Sequence, residues 1–173
     1  MNPLAERRHQ DLAKITRLGV RARGRVTVCE TVGTPPSEII VALDYKTAAS
    51  PRFPDDVRET TRIKIVLSAR YPFQEPVVDI LDPVFNPNVY ASGRVCLGKK
   101  WIATEGLDLT VLRVIKILTF DPEILNDWAP AHIEAAHWYK ATRAAHPASF
   151  PTEKIALDEE AVVKRVTWGE AKS

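Results

Sequence analysis

The sequence predicts an α+β fold, in which helices gather on one side and at the ends of a four-stranded antiparallel sheet. Three observations lead to this fold class: a helical pattern at the start of the chain, four strand-like segments in succession, and a return of helical periodicity after a long irregular loop. At 173 residues, of which 45% are hydrophobic, the chain suits a single domain with one sizeable core.

The first predicted helix is amphipathic and runs from Pro3 to Leu18, ending near Gly19. Its apolar residues recur at near-helical spacing: Leu4, Leu12, Ile15 and Leu18. Four basic residues lie among them: Arg7, Arg8, Lys14 and Arg17. We expect these basic side chains to form a solvated surface, which is also suited to an acidic partner.

Four segments rich in apolar and β-branched residues follow and predict strands. They are Arg25 to Glu30, Glu38 to Tyr45, Thr60 to Ala69, and Val77 to Leu81. Because the connections are short and leave no room for a crossover helix, the strands should form an antiparallel meander. Cys29 falls inside the first strand, where we expect a small buried residue with no chemical role.

The pattern becomes helical again late in the chain. Asp108 is expected to cap an apolar helix that lies buried across the sheet and stops before Asp121-Pro122. A second helix is predicted from about Pro130 to Ala145, with the proline in its first turn. A further helix is predicted from Thr152 to Val166, supported by a Glu160 and Lys164 pair four residues apart.

Composition excludes several classes of function. Lys plus Arg number 24 against 22 for Asp plus Glu, so no strongly basic field makes nucleic acid or a membrane surface the default partner. No apolar run approaches the roughly 18 residues that span a bilayer. The first ten residues include charged side chains and do not resemble a signal peptide. We therefore expect a cytoplasmic protein with reduced thiols, and neither a zinc site nor another cofactor.

The candidate chemistry lies in the loop from Tyr71 to Trp101, where Cys96 ends a stretch shaped by prolines and glycines. A thiol reacts as its thiolate, and the loop contains no histidine to act as a base, which weakens a peptidase interpretation. Such a cysteine is suited to carrying an acyl group as a thioester. Asn88, eight residues earlier, is a candidate oxyanion donor, an interaction worth about 3 kcal/mol in a preorganised site.

An amine that attacks a thioester also needs assistance, because a lysine with a pKa near 10.4 is almost fully protonated at neutral pH. Asp127 lies in the turn between the two late helices and is the candidate for holding an acceptor lysine, provided that this turn packs beside the Cys96 loop. A capping or solvated turn residue is an equally good interpretation of Asp127.

Several motifs occur in a characteristic order. They are Tyr71-Pro72-Phe73, Pro76, Asn86-Pro87-Asn88, Gly93, Cys96-Leu97, Trp101, Asp121-Pro122 and Trp138-Tyr139-Lys140. In residue type and order they resemble the ubiquitin-conjugating enzymes, from the first helix to about Arg143. The resemblance implies a UBC-like conjugating domain over residues 1–146, followed by a divergent C-terminal helix or tail over residues 147–173.

The resemblance also implies a function and partners. Cys96 would receive a ubiquitin-like modifier from an activating enzyme and transfer it to an amine of an acceptor protein, with Asn88 as the family's oxyanion or loop-ordering asparagine. The basic residues of the first helix would contact the activating enzyme. Phe73 and Trp101 would form the surface for a ligase, where one is used.

The chain departs from the usual family pattern at Asn86, where a histidine is common, at Gly98, where an acid is common, and at Ile102, near a missing proline. Its compact, Ala- and Arg-rich sequence resembles bacterial relatives from conjugation systems linked to antiphage defence. Two alternatives stay open. One is a non-catalytic module of the same fold, and the other is a cysteine hydrolase of another fold with a histidine within reach of Cys96.

Overall fold

The structure of the protein is a computed structural model, and it describes residues 2–160. The elements are, in chain order, α1 (Pro3–Arg21), β1 (Val26–Val32), β2 (Glu38–Leu43), β3 (Thr47–Ala48), β4 (Val57–Arg58), β5 (Thr61–Val66), β6 (Val77–Ile80), α2 (Leu107–Leu118), α3 (Ile133–Ala145) and a short 3-10 helix (Pro147–Ser149). Among the helices of this described region, none has the length and apolar character needed to cross a membrane.

The main sheet has the strand order β1-β2-β5-β6, and each neighbouring pair is antiparallel, which confirms the predicted meander. The connection between β2 and β5, predicted to be short, contains a separate two-stranded ladder of β3 and β4. Alternate residues of β2 and β5 are fully buried: Ile39, Val41, Leu43, Ile63 and Ile65. One face of the sheet therefore covers the core, as expected for an antiparallel sheet with helices on one side.

The buried face of the sheet forms one hydrophobic core together with α1 and α2. The prediction that α2 is a buried helix is confirmed, because Val111, Val114, Ile115 and Leu118 have no exposed surface. Leu109 is the exception to the expected pattern, since 51% of its surface is exposed. This helix follows the cysteine loop in the chain, and the loop packs against it.

Two predicted helix starts are wrong. Helix α2 begins at Leu107 after the cap residue Gly106, so Asp108 lies in the first turn, where an acid is still favourable. The Leu107 N–H donates to Asp11 Oδ1 of α1 at 3.2 Å, so a carboxylate from another helix replaces the predicted cap. Helix α3 begins after Pro130, because His132 Nδ1 accepts from the Ala135 N–H at 3.0 Å and caps the helix.

The expectation that Cys29 is buried is also wrong. The pairing of β1 with β2 is irregular between Val28 and Glu30, and Cys29 at this irregularity is exposed. A bulge on an edge strand leaves its extra residue outside the regular alternation, which is why the side chain points away from the core.

The predicted helix from Thr152 to Val166 is wrong over its described part. Residues 152–160, called the strap below, are not helical, and the remainder of that prediction lies outside the described residues. The Thr152 N–H donates to Thr119 O at 2.9 Å, and the Asp158 N–H donates to Arg21 O at 2.8 Å. These bonds to the body of the protein take the place of helical ones. The predicted domain boundary at residue 146 stays a prediction.

Candidate active site

Cys96 lies at the end of a short hairpin that extends the sheet. The Val95 N–H donates to Val78 O at 2.9 Å and the Ile80 N–H donates to Gly93 O at 2.8 Å, so the hairpin pairs with β6. Gly93 adopts a φ of 93°, and a Cβ there would lie 2.9 Å from Ile80 O. This turn therefore requires glycine, and its geometry delivers Cys96 to the surface.

Cys96 is a partly exposed free cysteine beside an open hollow of about 410 Å³. Besides Cys96, the residues that line the hollow include Glu75, Pro76, Tyr90, Arg94 and Lys99. The Cys96 N–H donates to Asn88 O at 2.8 Å, so the backbone of the cysteine is fixed while the thiol stays accessible. An accessible thiol on a fixed backbone is suited to accepting a large acyl partner.

Asn86 holds the loop against the end of α2. Only 1% of its surface is exposed. Its Nδ2 donates to Ile117 O at 2.8 Å, and its Oδ1 accepts from the Asn88 N–H at 2.9 Å. Asn86, which replaces the histidine common at this position, thus connects the cysteine loop to the end of α2.

Asn88 is fully buried and connects the cysteine loop to the turn that follows α2. Its Nδ2 donates to Cys96 O at 3.3 Å, and its Oδ1 accepts from the Asn126 N–H at 3.0 Å. The structure therefore brings Asn88 next to Cys96, where the spacing in the sequence had placed it. It also brings the turn that contains Asn126 beside the cysteine loop. This packing was the condition for the predicted role of Asp127 in holding an acceptor lysine.

Asp127 follows Asn126 directly but faces a different hollow, of about 750 Å³, which it lines together with Trp128. Asp127 is partly exposed. The carboxylate therefore lies next to the bridge that Asn88 makes, and not among the residues that line the hollow beside Cys96. Its role stays a prediction.

The hollow beside Cys96 is lined by no histidine within the described chain. His132 caps α3, and its ring meets the Phe85 ring edge-on with 5.1 Å between centroids. Within residues 2–160, no three potential metal ligands come together. This arrangement does not favour a hydrolase.

The expected basic surface of α1 is wrong for Arg8. Arg8 is buried, and its guanidinium donates to Pro36 O at 3.2 Å and to Ser68 O at 2.5 Å. These two carbonyl oxygens lie at the ends of neighbouring strands. A carbonyl oxygen that is removed from water needs a hydrogen-bond donor, and the Arg8 guanidinium provides it. Of the other basic residues, Arg17 is exposed and Lys14 is partly exposed.

Arg7 belongs to a network that the sequence did not reveal. Its Nε donates to Asp11 Oδ2 at 2.6 Å, and Asp11 is fully buried. The Tyr71 hydroxyl donates to the same carboxylate at 2.5 Å. Burial, and then the bond to Asp11, raise the pKa of Tyr71 well above its ordinary value. The signal in the sequence was the position of Asp11 on the apolar stripe of α1, where an acid needs an internal partner.

Phe73 and Trp101 lie at one corner of the molecule. Phe73 is 74% exposed. The Trp101 indole donates to Pro72 O at 2.6 Å and packs on the Tyr71 ring, with centroids 5.9 Å apart. Ile102 next to it is 53% exposed. The corner therefore offers an apolar surface, and its role in binding a ligase stays a prediction.

Comparison with known proteins defines the class. A family model described as Ubiquitin-conjugating enzyme matches residues 58–151, more than half of the chain. The chain belongs to the ubiquitin-conjugating enzyme family, and its helix, four-stranded meander and late helices are the UBC-like fold of that family. The resemblance seen in the sequence and the predicted fold class are both confirmed.

Two similar relatives are fungal proteins. The chain is 36% identical over 90 residues to ubiquitin-conjugating enzyme E2 2 of Debaryomyces hansenii, covering 50% of this chain and 51% of that protein. It is also 36% identical over 84 residues to ubiquitin-conjugating enzyme E2 2 of Saccharomyces cerevisiae, covering 47% and 46%. The chain thus spans about half the length of the curated relatives it matches.

Proposed function

We propose that the protein accepts a ubiquitin-like modifier as a thioester on Cys96 from an activating enzyme and transfers it to an amine of an acceptor protein. Membership of the family supports a conjugating function at the level of the class. The observation that carries the proposal is the accessible Cys96 thiol on a backbone fixed by the buried Asn88.

Two acyl transfers make up the reaction. In the first, the Cys96 thiolate attacks the thioester carbonyl between the modifier and the activating enzyme, and the thiolate of the activating enzyme leaves. In the second, the acceptor amine attacks the new thioester, a C–N bond forms, and the C–S bond to Cys96 breaks. The amine loses its proton to water, and Cys96 leaves as a thiolate. Because Cys96 is both nucleophile and leaving group, no histidine is required at either step.

Asn88 has a proposed role in the second transfer. A primary amide has two N–H donors, and among the described residues Asn88 Nδ2 has one partner, Cys96 O. A Cβ at Gly98 would lie 3.9 Å from Nδ2, so the backbone of Gly98 lies beside this amide. In the proposed mechanism the second N–H stabilises the oxyanion that forms when the amine attacks.

Asp127 has a proposed role in holding the acceptor lysine. Its turn is attached to the cysteine loop through Asn88 and the Asn126 N–H, and the carboxylate is partly exposed. A carboxylate at this position would attract the ammonium group of a lysine that approaches the thioester.

Other partners follow from the exposed surfaces. Of the four basic residues predicted to contact an activating enzyme, Arg17 is exposed, Arg7 and Lys14 are partly exposed, and Arg8 is buried, so Arg7, Lys14 and Arg17 are the proposed contacts. The corner of Phe73 and Trp101 is the proposed surface for a ligase. A cytoplasmic role in a bacterial, defence-linked conjugation system is supported only by the compact, Ala- and Arg-rich sequence, and the fungal relatives do not test it.

The test is formation of a covalent adduct. The protein is incubated with an activating enzyme, ATP and a candidate modifier, and the products are separated with and without reductant. We expect a reductant-sensitive adduct, lost in Cys96→Ala and converted to a reductant-resistant oxyester in Cys96→Ser. Cys29→Ala is the matched control, because Cys29 is an exposed free thiol and its removal should leave loading unchanged.

Two results would contradict the proposal. One is the absence of an adduct with any cognate activating enzyme, which would favour a non-catalytic module that binds a modifier. The other is turnover of a thioester by water with no acceptor present, which would favour a hydrolase.

A further inference from the structure

His132 joins the start of α3 to the loop that carries Asn88. Its backbone N–H donates to Pro87 O at 3.1 Å. Its ring meets the ring of Phe85 edge-on, with 5.1 Å between the centroids. Phe85 and Pro87 lie on either side of Asn86, whose side chain accepts from the Asn88 N–H. One residue at the start of α3 therefore contacts both chain neighbours of Asn86.

The same residue closes the first turn of α3. His132 Nδ1 accepts from the Ala135 N–H at 3.0 Å, and His132 O accepts from the Ala136 N–H at 3.0 Å. Ala135 is fully buried, so without the ring its N–H would be left unpaired and away from water. A side-chain cap typically changes the stability of a first turn by about fivefold. The turn that carries the bond to Pro87 O is therefore stabilised by the ring.

The cap exists only while the ring is neutral. A protonated imidazole has an N–H at both nitrogens, so Nδ1 of His132 would then face the Ala135 N–H with a donor in place of a lone pair. Histidine is the side chain that ordinarily changes its charge between pH 5 and 8. The cap is therefore lost as the pH falls, although the amides of Asn86 and Asn88 themselves carry no charge.

The charged groups around this histidine do not replace the lost bond. The hollow of about 350 Å³ that it lines has two other titratable side chains within the described chain, Asp82 and Tyr90. Asp82 already accepts from the Arg62 guanidinium at 2.9 Å, and Arg58 lies nearby. Glu134, in the first turn of α3, is exposed. A protonated ring would gain no unpaired buried carboxylate in exchange for its cap.

We propose that His132 is a positioning residue of the active site: its neutral ring caps α3 and so holds the segment that places Asn88 beside Cys96. The inference rests on the proposed function, because Asn88 acts there in the discharge of the thioester. His132 acts through Pro87 and not by contact with the thioester. It is the residue through which pH affects the position of the cysteine loop.

Hydrogen exchange in the unloaded protein tests the cap. Protection of the Ala135 amide, corrected for the intrinsic exchange rate, is measured at about pH 7.5 and about pH 5.5. In the wild type we expect protection to fall about fivefold at the lower pH. In His132→Asn, whose side chain can cap the helix at either pH, it should stay constant. In His132→Ala it should be low at both.

The Asn88 amide, which donates to Asn86 Oδ1 at 2.9 Å, tests whether the cap holds the loop. At the higher pH its protection should be lower in His132→Ala than in the wild type, by up to the same fivefold, and His132→Asn should restore it. His137→Gln, an exposed change on the same helix, is the matched control and should leave both amides unchanged. A change at Ala135 with none at Asn88 would overturn the inference, because the cap would then serve α3 alone.

Single-turnover discharge tests the consequence for the reaction. The thioester is formed on Cys96, the activating enzyme is quenched, and discharge to free lysine is followed at both pH values. Protonation of the acceptor amine slows all variants alike, so the ratio of the wild-type rate to the His132→Asn rate isolates the cap. We expect this ratio to be near unity at the higher pH and to fall by about twofold to fivefold at the lower pH.

The alanine variant separates positioning from general stability. Discharge in His132→Ala should be slower than in His132→Asn at both pH values, while loading of Cys96 should not change, because Asn88 acts in discharge. A ratio of wild type to His132→Asn that does not change with pH would overturn the inference. Loading and discharge reduced alike in His132→Ala would also overturn it.

The exchange measurement separates this inference from the proposed function, since it requires no thioester. Protection of the Asn88 amide that follows the cap, in a protein that forms no thioester, would contradict the proposed function and keep the link between His132 and the loop. Thioester formation with discharge rates that are independent of the cap would contradict the inference and keep the proposed function.

Discussion

The Cys96 loop and the strap are both irregular segments, but the protein fixes them by different means. The loop is held by the neutral, fully buried amides of Asn86 and Asn88. The strap is held at its edges by charged pairs: Arg25 with Glu153 at 2.5 Å, and Arg23 with Asp158 at 2.7 Å. Bonds between buried neutral groups respond little to salt or pH, whereas exposed ion pairs respond to both. We therefore expect the bonds of Asn86 and Asn88 that hold the loop to respond less to salt and pH than the ion pairs that hold the strap.

Replacing Asn86 tests the buried bonds that hold the loop and has the largest expected effect on stability. Asn86→Ala leaves the buried Asn88 N–H without its acceptor and Ile117 O without a donor from the loop. We expect a loss of about 3 kcal/mol in the free energy of unfolding, from the desolvation cost of buried unpaired groups. Urea unfolding measures it. Ser92→Ala, an exposed change in the same hairpin, is the control, and an equal loss in both variants would contradict the comparison.

The apolar contacts of the strap should have an intermediate effect. Leu157 is half-buried and packs against the main core. Leu157→Ser should cost about 1 kcal/mol, from the apolar area returned to water. Lys154→Ala, at an exposed position of the strap, should be neutral in the same urea titration. If Leu157→Ser were neutral as well, the strap would not contribute to the core.

The ion pair at the end of the strap should have the smallest effect, visible only locally. The Arg23 guanidinium, which donates to Asp158, lowers the pKa of that carboxyl. A lowered pKa means that the contribution is complete above the unfolded value near 4 and is lost as pH falls through the lowered folded value.

Hydrogen exchange of the Asp158 amide, whose N–H donates to Arg21 O at 2.8 Å, measures this loss. Asp158→Asn at neutral pH and low salt should increase the exchange rate, and high salt should remove the difference between the variant and the wild type. A salt-independent difference would show that charge is not what holds the end of the strap.

The sequence was sufficient for the fold and for the position of Asn88 beside Cys96. Period-two and helical patterns predicted the four main strands and the buried α2, and residue spacing placed Asn88 within reach of Cys96. Patterns failed where a tertiary contact replaced a local one. Asp11 caps α2 from another helix, and no rule based on neighbours in the chain reports such a contact.

Two other failures have the same origin. Residues 152–160 have helical propensity, but they bond instead to Thr119 and Arg21 on the body of the protein. Arg8 lies among basic residues that the sequence assigned to a solvated face, yet it is buried and donates to the carbonyl oxygens of Pro36 and Ser68. In both cases the deciding partner lies far away in the sequence, so its position is known only once the chain is folded.

The central claim is that Asn88 links the Cys96 loop to the acceptor side of the site. The most direct measurement compares single-turnover rates of Cys96 loading and of discharge to lysine in Asn88→Ala. We predict loading within about threefold of wild type and discharge slower by about a hundredfold, the scale of one oxyanion donor. Asn88→Asp keeps the acceptor for the Asn126 N–H but lacks the donor, so its discharge should be equally slow. Unchanged discharge in Asn88→Ala, or loading and discharge reduced alike, would contradict the claim.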